Sequence, residues 1–293
     1  MEWEQKNHAE KYLLFPENMG EYLSIDETSL SQGELYTFIT NKNGRGKQGT
    51  LVASIKGTIS KDIISVLEKL PKDKCKSVKE VTLDMAKNME SAAKKIFTES
   101  KIVTDRFHVI RLAIEALQHI RIKHRWQELD KENQAIEKAK KQKIKYESKV
   151  YENDDSPKQL LARCRYILAK KPKDWTENQK QRASILYREY PELKQAYEHT
   201  MEFRNIYENN TLITAKEKFI NWIEKTFKNE MKDFYTVANT VKNNLEHITN
   251  FFNNRNTNAN AESFNSKIKL FRANLRGVVD TKFFLFRLHK LYA

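Results

Sequence analysis

Glycine is confined almost entirely to the front of this chain. Gly20, Gly33, Gly44, Gly46, Gly49 and Gly57 all precede residue 58, and Gly277 is the only other one. Between Glu192 and Arg276 there is neither Gly nor Pro. These two residues punctuate regular structure more strongly than any others. The chain is therefore expected to open with short, turn-linked elements and to continue into long helices.

The opening segments read as strands. Tyr22–Asp26 alternates Leu23 and Ile25 with polar neighbours, Glu34–Thr40 is rich in β-branched and aromatic residues, and Thr50–Ile55 follows the turn segment Asn41–Gln48. Short links imply an antiparallel meander. Ser60 is placed to cap a helix that carries Ile63, Ile64, Leu67 and Leu70 on one face and ends at Pro71. Val78–Asp84 is a fourth strand, a short helix covers about 88–97, and Ile102–Asp105 is a fifth strand. Helical crossovers make these later strands parallel. The fold class expected is α/β: a mixed five-stranded sheet with flanking helices. From Phe107 to about residue 253 the pattern is helical, broken at Asn153–Pro157, and it resumes near Ala261 after the polar run Asn253–Asn260. The intervening helices look like an insertion.

Charge narrows the function classes. Lys and Arg number 53 against 39 Asp and Glu, a net charge of +14. Such a surplus favours a polyanionic partner, nucleic acid first. Two distant cysteines, Cys75 and Cys164, exclude a disulfide framework and an all-cysteine zinc site. No run approaches the roughly 18 apolar residues of a membrane span. The start, MEWEQKNHAEKY, lacks the apolar stretch of a secretion signal. No membrane association is expected, and the cytoplasm is the expected compartment.

Three apolar runs end in aspartate: LSID at Asp26, VTLD at Asp84 and IVTD at Asp105. Neighbouring strands bring such carboxylates together, where they resist joint ionisation unless a cation lies between them, and hard ions such as Mg²⁺ favour oxygen ligands. An aspartate at a strand end serves equally as a local cap. Glu262 heads a basic helix carrying Lys267, Lys269, Arg272 and Arg276. It suits either a metal or the helix dipole. Arg45 and Lys47 on the glycine-bearing turn are candidate phosphate contacts, together with the four basic residues after Glu262. Residues 121–150, with ten Lys or Arg against five acids, form either a further DNA surface or a solvated face. Trp126 and Trp175 offer core packing or stacking on an unpaired base.

The ordered set IDETSL, VTLDMA, VTDRFHVIR and NANAESFNSKIKL resembles the DDE transposases of the ISL-three insertion-sequence family, as does RYILAKKPKDWTENQ. The resemblance covers about 23–292 and implies a ribonuclease-H-like core interrupted by a helical insertion. It implies the organisation 1–20 as an N-terminal tail, 21–109 as the first part of the core, 110–245 as the insertion, and 246–293 as the second part. By motif, Asp26, Asp84 and Glu262 match the three acids that hold two Mg²⁺ ions, for which Mn²⁺ substitutes. Asp105 and His108 match the DRFH signature, in a supporting role or, for Asp105, competing with Asp84 for the second acid.

The implied activity is metal-dependent DNA strand cleavage and strand transfer at insertion-sequence ends. The implied partners are end and target DNA and a second copy of the chain in the DNA complex. The family's usual zinc-binding and helix-turn-helix region has no counterpart among these residues, so a separately encoded polypeptide is expected to recognise the ends. A nuclease that cuts without joining, and a DNA-binding remnant with decayed acids, stand as alternatives.

Overall fold

The structure, a computed structural model, describes residues 3–31 and 33–293. Met1 and Glu2 of the expected tail lie outside it. The chain divides into two compact units, Met1–His108 with Glu246–Ala293, and Val109–Leu245.

The first unit is built on a mixed sheet. Its strands are β1 (Tyr12–Leu14), β2 (Tyr22–Ser31), β3 (Glu34–Asn41), β4 (Leu51–Lys56), β5 (Glu80–Leu83) and β6 (Lys101–Thr104), in the spatial order β1-β4-β3-β2-β5-β6. The first four pair antiparallel, whereas β2 with β5 and β5 with β6 are parallel. Among the described residues, six strands replace the five expected. The extra one, β1, comes from the stretch read as a tail. Its three residues are too few to show a period of their own, and pairing with β4 defines them. Leu13 and Phe15 are buried there.

Two helical crossovers lead into the parallel strands: the first holds α1 (Ser60–Leu67) and the short α2 (Lys72–Ser77), the second α3 (Lys87–Ile96). Ser60 is the first helical residue rather than the cap; Ile59 holds the cap position and makes no side-chain bond. Side chains alternate across a strand. Leu23 and Ile25 of β2, and Val81 and Leu83 of β5, join one core cluster with Ile63, Leu67, Met89 and Ala92 of the crossover helices. Residues of opposite parity, Asp26 and Leu30 on β2 and Glu80 and Thr82 on β5, therefore face the other side.

The second unit and the return to the first are helical. In order come α4 (Arg106–Lys141), α5 (Pro157–Arg163), α6 (Glu177–Glu189), α7 (Pro191–Ile206), α8 (Leu212–Lys228), α9 (Tyr235–Asn243), α10 (Leu245–Thr249), α11 (Phe251–Asn254), α12 (Ala259–Asn274) and α13 (Thr281–Tyr292). Capping boxes at Ser156 and Thr176 start α5 and α6. The stretch 230–253, expected to be continuous helix, is broken into short pieces. Glu230 has φ 50°, a left-handed conformation that ends a helix without any glycine. The second unit has its own aromatic core, in which Phe203 of α7 lies 4.6 Å from Trp222 and 5.5 Å from Phe219 of α8.

On the sheet face that carries Asp26, α12 and α13 supply the cover. Phe264 and Ile268 of α12 and Phe284, Leu285 and Leu288 of α13 pack with Leu30, Tyr36, Phe38 and Leu51. Phe264 meets Phe38 edge to face at 5.8 Å.

Candidate active site

Asp26 lies inside β2, opposite Phe38 of β3, and not at a strand end as its motif suggested. The alternation runs on through Thr28 and Leu30, both buried, so the strand continues to Ser31. Asp84 and Asp105 are the residues immediately after β5 and β6. Adjacent parallel strands in register, with Leu83 paired to Thr104, bring the two to the same edge of the sheet. His108 sits in the first turn of α4 and Glu262 in the first turn of α12.

Asp105, His108 and Glu262 each offer a ligand atom within 4.8 Å of the others. Asp26 and Asp84 complete no such group among the described residues, although Asp26 senses the charges of Asp84, Glu262 and His108. Burial pushes the Asp26 carboxyl up to about 6, and Asp84 and Glu262 add to the rise. The Glu27 N–H, donating at 2.8 Å, and His108 oppose it. The Glu262 carboxyl is raised by burial, then by Asp105, with His108 opposing.

Each of the three aspartates is held from behind. Asn265 Nδ2 donates to Asp26 Oδ2 at 2.7 Å. The Ala86 N–H donates to Asp84 Oδ1 at 2.8 Å. The Asn258 N–H donates to Asp105 Oδ1 at 3.3 Å. Asp105 is 1 % exposed, and its Oδ2 has no hydrogen-bond partner among the described residues. A carboxylate oxygen buried without a donor is costly unless a cation meets it. With an imidazole and a second carboxylate in reach, the donor set fits a divalent ion.

The basic residues separate into two kinds. Arg45, Lys47, Lys269 and Arg276 are exposed. Lys267 Nζ donates to the Gly46 carbonyl at 2.6 Å, and Arg272 donates to the Ser29 carbonyl at 3.2 Å. Those two cations fasten α12 to the sheet side of the unit. Trp126 is 60 % exposed and so is not a core residue. Trp175 is half-buried, donates Nε1–H to the Ile167 carbonyl and packs on Tyr197 at 5.5 Å.

Asn258 and Asn265 both lie within the motif NANAESFNSKIKL, but the sequence assigns neither of them a role at the site. Asn265 stands three residues after Glu262, the spacing that puts two side chains on one helical face, and that was the available signal. Asn258 acts through its backbone, which leaves no trace in residue type.

A model of a transposase family, the DDE transposases of the ISL-three type, matches residues 23–288. No curated protein and no solved structure matches the chain. The match spans most of the sequence, and the chain belongs to this transposase family. Transposases cut and transfer DNA, so DNA is the partner class, and the DDE enzymes among them use a divalent metal. None of the described helices is long and apolar enough to cross a membrane.

Proposed function

We propose that this transposase cuts DNA strands at insertion-sequence ends and joins them to target DNA by in-line phosphoryl transfer, with Asp26, Asp84 and Glu262 as the acids that hold two Mg²⁺ ions. The observation that carries the reading is the gathering of Asp105, His108 and Glu262 within 4.8 Å, next to an Asp26 that senses the charges of His108, Asp84 and Glu262. The sheet order supports a ribonuclease-H-like core: β2, β3 and β4 form an antiparallel meander, and β5 and β6 follow in parallel on the far side of β2. Mn²⁺ substitutes for Mg²⁺ in this reading, and the protein works on cellular DNA in the cytoplasm as a homodimer on paired ends.

Bound divalent ions supply the positive charge that stabilises the attacking and leaving oxygens. The chain's own groups do the rest. Asp26 and Glu262 come from elements far apart in sequence, and Phe264 and Ile268 fix their approach by packing α12 on the sheet. Asn265 and the Glu27 N–H orient the two Asp26 oxygens. Asp105 and His108 support the site from the β6–α4 junction, and the unpartnered Oδ2 makes Asp105 a competitor of Asp84 for direct ligation. Exposed Arg45, Lys47, Lys269 and Arg276 hold DNA phosphates, with Lys267 and Arg272 behind them.

The test is strand joining with pre-cut end DNA. Asp26→Asn, Asp84→Asn and Glu262→Gln should each abolish cleavage and joining while retaining DNA binding. Full joining by any one of them removes that residue from the site. Cleavage without joining by the unmodified chain identifies a nuclease instead.

A further inference from the structure

Lys42 is a buried cation that the phosphoryl-transfer reading does not use. It opens the 3-10 turn Lys42–Gly44 after β3, a place where lysine is ordinarily solvated. Here its side chain is 6 % exposed. Its Nζ donates to Glu80 Oε1 at 3.2 Å and to Thr82 Oγ1, both on β5. Glu80 is equally buried and accepts a second bond on Oε2 from Asn254 Nδ2 at 3.0 Å. The Lys42 carbonyl accepts from Asn260 Nδ2 at 3.2 Å.

One residue therefore ties three segments together. They are the turn after β3, the strand that ends beside Asp84, and the stretch from the end of α11 through the connection into the first turn of α12. Glu262 lies two residues beyond Asn260, and the Asn258 N–H in the same connection bonds Asp105. Burial lowers the affinity of the Lys42 ammonium for its proton, while Glu80 and Asp105 oppose that shift, so Lys42 also lies within electrostatic reach of the site. Buried ion pairs contribute little net stability compared with well-packed apolar residues, and their best-attested use is to fix register. Register matters here because α12 must deliver a carboxylate to partners on distant elements.

We propose that Lys42 is a positioning residue for the acidic site: through Glu80, Asn254 and Asn260 it fixes where α12 begins, and so holds Glu262 against Asp105 and His108. This rests on the proposed divalent-ion site, in which Glu262 is a ligand and Asp105 and His108 support it.

Mn²⁺ titration of the full chain, followed by electron paramagnetic resonance, tests it. Unmodified protein, Lys42→Met, Glu262→Gln and the double variant form a cycle. Lys42→Met should weaken Mn²⁺ binding about tenfold, the scale of losing an outer partner of a metal ligand, and Glu262→Gln, which removes a ligand, should weaken it at least as much. Because Lys42 acts through Glu262, the double variant should bind within about twofold of Glu262→Gln. Losses that multiply, or unchanged affinity in Lys42→Met, overturn the proposal. Unchanged affinity in Glu262→Gln removes the cluster reading itself, and the proposal falls with it. Lys42→Met leaves the buried Glu80 carboxylate without its cation, so Lys42→Met/Glu80→Gln is titrated alongside, with folding checked by thermal melting. The same weakening is expected there, and unmodified affinity in that folded variant also overturns the proposal.

Discussion

Asn265 of α12 and Asp26 of β2 are joined by a 2.7 Å hydrogen bond from Nδ2 to Oδ2, although most of the chain separates them in sequence. The bond orients a carboxylate whose other oxygen takes the Glu27 N–H. Asn265→Ala removes the donor and should cost about 1–3 kcal/mol of stability, the range for a bond to a charged group. Joining activity should fall 10–100-fold, as for outer partners of metal ligands. DNA affinity should stay unchanged. Parallel assays of joining and of DNA binding check this, and normal joining would show that Asp26 needs no orientation from α12.

Asp26 also sets a stability cost in the metal-free protein. Its folded value of about 6 lies above the ordinary 3.8. The folded state thus holds the proton more tightly, so the associated stability is complete below pH 3.8 and is lost as pH rises through 6. By pH 7.5 the loss is at most about 3 kcal/mol. Asp26→Asn escapes it but has one oxygen for two donors, and gives back about 1 kcal/mol. Without divalent ions the variant should therefore be more stable than the unmodified protein by about 2 kcal/mol at pH 7.5, and no more stable at pH 3.5. Urea unfolding at both pH values measures the difference; a variant less stable at pH 7.5 would show that Asp26 is well solvated.

The strands bearing Leu23, Ile25, Val81 and Leu83 were legible because alternation and β-branched content are written into short windows. Strand β1 was not, because three residues against β4 are defined by their partner. Asp26 was readable as a candidate acid, but the continuation of its strand to Ser31 depends on pairing with β3. The asparagine-rich run around Asn253–Asn260 reads as a polar break, yet Asn254, Asn258 and Asn260 each bond into the network around the site. Lys42 reads as a solvated turn lysine. Only the tertiary fold buries it on β5, because no local pattern records a partner forty residues away.

His199 in the second unit predicts a separate acid sensitivity. Its Nε2 bonds Thr226 Oγ1 at 2.8 Å, its ring stacks on Trp222 at 4.4 Å, and Nδ1 is buried with no hydrogen-bond partner among the described residues. Thr226 Oγ1 donates to the Trp222 carbonyl, so it accepts the His199 Nε2 proton, and Nδ1 is the bare nitrogen. Burial pushes the imidazole down to about 4, with Glu202 opposing and Lys225 adding to the fall. A lowered folded value means that stability is complete above the ordinary 6.5 and is lost as pH falls toward 4. At pH 5 the loss is about 2 kcal/mol. Thermal melting at pH 7.5 and pH 5 should show the second unit losing this stability, and His199→Gln losing less. Equal pH dependence in both proteins would place the sensitivity elsewhere.

DNA binding supplies the last expectation. The net charge of +14 attracts phosphates without regard to base sequence, and exposed Arg45, Lys47, Lys269 and Arg276 provide point contacts for them. Each phosphate neutralised releases counterions, and the logarithm of affinity falls by about 0.9 per contact for each tenfold rise in salt. If the four exposed cations each meet one phosphate, changing all four to Gln should flatten the salt slope by roughly 3–4. Titrations against end DNA and scrambled DNA at two salt concentrations measure both slope and preference. The two DNAs should bind alike at low salt and lose affinity together at high salt. A preference for the end sequence that survives at the higher salt would mean that side chains of this chain reach base edges, and would direct the search to the helices of the second unit and to the basic helix α12.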